Sequence, residues 1–105
     1  MREELAADIR IYVAEMSHLS GYREWLELSS ALVYRDAVEK ALASGEKLTA
    51  EYETILREAD DKLLALRDDL VRRFPEVFMD RAPRRHWWWH LDKGPKVREE
   101  AERAA

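Results

Sequence analysis

The residue types and spacings suited to chemistry crowd into one short run, Arg84-Arg85-His86-Trp87-Trp88-Trp89-His90, with Asp92 just beyond it. His86 and His90 stand four apart, so a helix places both imidazoles on one face, the spacing of helical metal sites. Asp92 supplies a carboxylate as a third donor. A zinc-protease helix needs an acid directly after its first histidine, and Trp87 stands there instead. The reading adopted is no metal and no cofactor, with His86, His90 and Asp92 as the set that would hold a metal. Three indoles, each able to bury on the order of 200 Å², point more strongly to contact than to catalysis. On a helix, consecutive side chains diverge by about 100°, so the three rings cannot all enter one core. At least one is expected to face a partner, a ligand or a folded-back stretch of chain. Arg84, Arg85, Trp87, Trp88 and Trp89 are the predicted partner-binding set; closing the open end of a small bundle, and stacking on nucleobases beside the arginines, are the other uses open to the rings.

Arg85 and His90 also stand in the order arginine, polar residue, three further residues, histidine. This resembles the R-x4-6-H motif of the HEPN family, small all-α domains that often dimerise and cleave RNA. The resemblance covers six residues. It implies Arg85 holding a phosphate and His90 acting on the 2′-hydroxyl or the leaving oxygen, with no metal required. In that family the motif lies on a long core helix, whereas Pro83 and Gly94 confine this stretch to about two or three turns.

Elsewhere the chemistry thins. Glu15-Met16-Ser17-His18 has the Glu-x-x-His spacing of di-iron bundles, but those need a second copy and two more inward carboxylates, and the chain has no second copy. Absence of cysteine excludes disulfides, thiolate zinc sites and cysteine nucleophiles. Gly-rich phosphate loops are absent. Arg35-Asp36 interrupts an otherwise apolar helix. These two either pair with neighbouring helices or, with Glu39, line a polar cleft.

The elements that must position these residues are helices. Leu5, Ile9, Tyr12, Val13, Met16 and Leu19 recur at the three- and four-residue spacing of one face, predicting a first helix over about 3–18. The second, about 22–43, carries two apolar stripes. Tyr22, Trp25, Leu26, Val33 and Ala37 form one; Leu28, Ala31, Leu32, Val38 and Leu42 form the other. An apolar arc that wide predicts packing from two sides, against both neighbours or a second chain. Ser44-Gly45 ends it, Thr49 caps the third helix, and Pro75 closes that helix after about 50–73. A short final helix over about 95–104 shows no apolar face and is expected to fray.

With 105 residues the chain suits one domain, and 47% apolar with 38% charged residues suits helices with charged outer faces. Charge is uneven. Residues 1–80 hold 11 Lys/Arg against 18 Asp/Glu, a net of −7, and residues 81–105 hold 7 against 4, a net of +3. An acidic body argues against wholesale nucleic-acid binding and leaves an acidic or polyanionic partner to the tail. The start of the chain is unlike a secretory leader and no apolar run approaches a bilayer span, so the cytoplasm is the expected address.

Together these readings predict an all-α fold: a three-helix core built on a long antiparallel hairpin of helices two and three, residues 1–80, with the basic 81–105 segment docked over one end. The expected function is a small non-enzymatic protein–protein interaction module, self-associating or binding another protein, and no membrane. A metal-independent ribonuclease using Arg85 and His90 is the competing class.

Overall fold

Leu5, Ala6, Ile9, Tyr12 and Met16 give helix α1 (Glu3–Met16) a broad buried face, and the rest of the chain is arranged around it. The computed structural model describes residues 1–104, and every regular element among them is helical; Ala105, the last residue of the expected tail, lies outside them. A 3-10 turn at Leu19–Gly21 leads to α2 (Trp25–Ala43). This helix starts three residues later than its apolar periodicity predicts. Glu24 is extended (φ −130°, ψ 146°), and the Glu27 carboxylate turns back to accept the backbone N–H groups of Arg23 and Glu24 at 2.7 and 2.9 Å. That satisfies donors a helix start leaves without partners. Gly45, at φ 104°, closes the far end in a conformation that costs glycine little.

Thr49 caps α3 (Ala50–Ala65), its hydroxyl accepting the Tyr52 N–H at 3.3 Å. The single helix predicted over 50–73 is broken at Leu66 (φ −100°, ψ 10°), and α4 (Arg67–Arg73) follows. Beyond the break, Leu70 is buried and Arg67 Nε donates to the Leu91 carbonyl at 2.6 Å. The tail, rather than the period of α3, sets where α4 lies.

The predicted hairpin is corrected. α1 packs extensively against both α2 and α3, which meet each other little, so α1 and not α2 is central. Six connecting residues, 44–49, explain this. Extended, they reach about 20 Å, or two helix spacings of about 8–10 Å, enough to carry the chain past α1.

The tail fills the space between the separated helices instead of capping one end. Trp87, Trp88, Trp89, Leu91 and Val97 belong to the same core cluster as Leu5, Leu32 and Leu63. The last helix, α5 (Val97–Ala104), is also anchored: Val97 and Ala101, one turn apart, are buried, and Arg98 reaches Asp61 at 2.8 Å. Its expected lack of an apolar face is thereby corrected; two small apolar residues suffice for an eight-residue helix. Among the described residues, no helix is long and apolar enough to cross a membrane.

Candidate functional site

Successive residues on a helix diverge by about 100°, and Arg35-Asp36 uses that divergence to hold two things at once. Arg35 points inward, where its Nε and one terminal amine fork onto Asp60 Oδ1 and Oδ2 at 3.0 and 3.1 Å. The Tyr12 hydroxyl donates to the same Oδ1 at 2.7 Å. All three residues are buried. Burial works to lower the Arg35 pKa, but the charge and hydrogen bonds of Asp60 outweigh it and hold the pKa above its ordinary value. Burial, then the adjacent Asp60 charge, pushes the Tyr12 phenol well above its usual range. The Arg35 guanidinium carbon lies 4.3 Å from the Trp88 ring centroid. One arginine therefore joins α1, α2, α3 and the tail.

Asp36 points to the tail. Its Oδ1 accepts the indole N–H of Trp88 at 2.8 Å and that of Trp89 at 2.8 Å, the latter shared with Oδ2 at 3.0 Å. His86 Nδ1 is 3.0 Å from Oδ1. An ionised carboxylate only accepts, so Nδ1 carries the proton. His86 stacks on Trp88 (4.9 Å, 23°), and Trp87 meets Trp88 edge to face (5.5 Å, 81°).

The expectation that the three rings cannot all enter one core is corrected: Trp87, Trp88 and Trp89 are all buried, and what they face is the folded-back chain itself. Helical divergence separates the rings only where a helix lies on one surface. The segment is a 3-10 turn with walls on several sides. Trp87 lies beneath Arg98 of α5 (5.8 Å), Trp88 covers Arg35, and Trp89 reaches Asp36. Of the predicted partner-binding set, only Arg84 and Arg85 are exposed.

The ribonuclease pair is not assembled. Arg85 lines an open cleft, but His90 is 1% exposed, is absent from the cleft wall, and is held through Nε2 on the Ala82 carbonyl at 2.8 Å. The metal set is likewise kept apart. His86 is engaged by Asp36, His90 by Ala82, and Asp92 sits at the surface beside Lys93, and no cluster of three potential ligands occurs among the described residues. Glu15, of the Glu-x-x-His pattern, accepts the Tyr22 hydroxyl at 2.6 Å. Glu39 stands 3.9 Å from Arg35, at the edge of the buried network.

Two accessible features stand out among the described residues. One is the outer face of α2, where Trp25 (48% exposed), Leu26 (55%), Val33 (55%) and Tyr34 (36%) lie open. The other is a cleft of about 610 Å³ between the C-terminal half of α2 and residues 79–89. Its Lys40 and Arg81 were not among the predicted site residues, because the cleft forms only when the tail folds back. The role of Asp36 left a clearer trace: buried indole N–H groups need acceptors. The chain matches no protein-family model, no curated protein and no solved structure.

Proposed function

We propose that this chain is a small, non-enzymatic helical interaction module that self-associates through the outer face of α2. The supporting observation is the stripe itself. The second apolar stripe of α2, through Leu28, Ala31, Leu32 and Val38, fills the core, while Leu26 and Val33 lie on the opposite side of the same helix in water, with Trp25 and Tyr34 exposed on its two flanks. These four together leave on the order of 400 Å² exposed, centred on Leu26 and Val33 and spread to both flanks of the helix.

A second copy is the occupant this surface fits. Ser29 and Ser30 lie between Leu26 and Val33, and small residues there let two helices cross closely. An antiparallel crossing at that point sets Leu26 against Val33 of the second copy, and the reverse, as a twofold contact requires. The area falls short of the roughly 800 Å² per partner of a standard interface, so the dimer is weak and reversible.

Sedimentation velocity from micromolar to millimolar concentration tests this. The native chain is expected to shift from monomer to dimer, and Leu26→Glu or Val33→Glu to stay monomeric with unchanged helicity. A native chain that remains monomeric throughout, or a dimer indifferent to both substitutions, overturns the proposal.

A further inference from the structure

The cleft between α2 and the tail gathers three cations around one concave site. Arg2, Arg10, Arg35, Arg67, Arg73 and Arg98 each stand within ion-pairing distance of a carboxylate. Lys40, Arg81 and Arg85, which line the cleft, have no such partner among the described residues. The one acid in the wall is Asp36, and its carboxylate is already taken by the two indole N–H groups and His86. Three cations thus share a concave site whose only carboxylate is committed to holding the tail. This arises on a chain with a formal net charge of −4, where carboxylates are plentiful elsewhere.

Apart from His86, which Asp36 holds, the remainder of the wall is apolar: Ala43, Met79, Ala82 and Pro83, with the indole of Trp89. At about 610 Å³ the cleft falls within the range of small-molecule sites, and it is several times larger than a bare phosphate group. We infer that it binds a phosphate monoester with a compact apolar body. Two guanidinium groups and an ammonium suit the charge and the several acceptor oxygens of a phosphate dianion. The apolar wall takes the ester group. A carboxylate would satisfy one fork and leave two cations without a counter-charge.

The inference is independent of the α2 stripe, and its test separates the two. Phenyl phosphate is titrated into the full chain at low salt, following the Trp89 indole N–H and the backbone amides of Lys40, Ala43 and Ala82 by NMR. Saturable shifts confined to the cleft are expected. Affinity for phenyl phosphate should exceed that for inorganic phosphate by about tenfold, the free-energy scale of one buried apolar group, and phenol should bind far more weakly than either. Arg81→Ala and Arg85→Ala are each expected to weaken phenyl phosphate about tenfold or more. Arg84→Ala, which removes the same charge outside the cleft wall, and Leu26→Glu, on the stripe, should leave it unchanged. Shifts that do not saturate, equal affinity for inorganic and phenyl phosphate, or equal losses in Arg84→Ala and Arg85→Ala overturn it. The last outcome would mean that only the general positive field of the tail attracts the probe.

Discussion

Asp60 shows how much one buried side chain can carry. It neutralises Arg35, accepts the Tyr12 hydroxyl, and through Arg35 supports the face of Trp88. Removing it strands a buried cation, a loss of about 3–5 kcal/mol. Asp60→Ala is therefore expected to lower the urea midpoint sharply, and combining it with Arg35→Met should recover much of the loss, since an apolar pair needs no counter-charge. A double variant no more stable than the single one would show that the network contributes through packing. Asp36 differs, being partly exposed and serving mainly as an acceptor. Asp36→Ala leaves two indole N–H groups without partners, each costing about 1–3 kcal/mol when buried. Loss of the two downfield indole N–H signals from their hydrogen-bonded positions, together with reduced stability, is the expected result. Unshifted indole signals would assign their environment to something other than Asp36.

Among the elements, the tail departs most from what its sequence suggests. A basic, tryptophan-rich stretch following an acidic helical body reads as an appendage, yet it supplies Trp87, Trp88, Trp89, Leu91 and Val97 to the core. Its ties to the body are numerous. Arg67 Nε donates to the Leu91 carbonyl at 2.6 Å, Asp36 accepts the Trp88 and Trp89 indole N–H groups, and Arg98 pairs with Asp61. A chain ended after Asp80 is accordingly expected to lose cooperative unfolding and near-UV circular dichroism rather than persist as a folded acidic bundle. A sharp thermal transition in that truncated chain would show that α1 to α4 fold alone. α2 follows the opposite course. Its two apolar stripes were legible from spacing alone; the structure buries Leu28, Ala31, Leu32 and Val38 of one, and of the other buries Tyr22 and leaves Trp25, Leu26 and Val33 exposed.

For the whole molecule, pH reports how tightly these parts are joined. Tyr12 and Tyr22 both have phenol pKa values raised above the ordinary value near 10. For Tyr12 the causes are burial, then Asp60; for Tyr22 they are burial, then its hydrogen bond to Glu15. Above pH 10 the unfolded chain releases these protons while the native state keeps them. The native form then binds more protons, and stability falls as pH rises. Their contribution is fully present below pH 10 and is lost progressively above it. Denaturant midpoints are expected to be flat between pH 8 and 9.5 and to fall above 10, with a shallower fall in Tyr12→Phe. An unchanged slope in that variant would remove Tyr12 from the effect.

By itself the sequence determined the all-α class, most helix boundaries, the Thr49 cap and the double stripe of α2. These follow from local periodicity, capping and glycine conformation, which a few neighbouring residues decide. It also narrowed the distinctive chemistry to residues 84–92, which is where the indoles, His86 and Arg85 are found. Only the tertiary structure decided what those residues do. Whether Trp88 faces a partner or Arg35, whether His90 meets Arg85 or the Ala82 carbonyl, and whether Arg81 and Lys40 share a cleft depend on contacts some 8 to 53 residues apart in the chain. They depend too on the gap opened by placing α1 between α2 and α3. Side-chain spacing fixes a face on a helix, but which faces meet depends on how the connections carry the helices around one another.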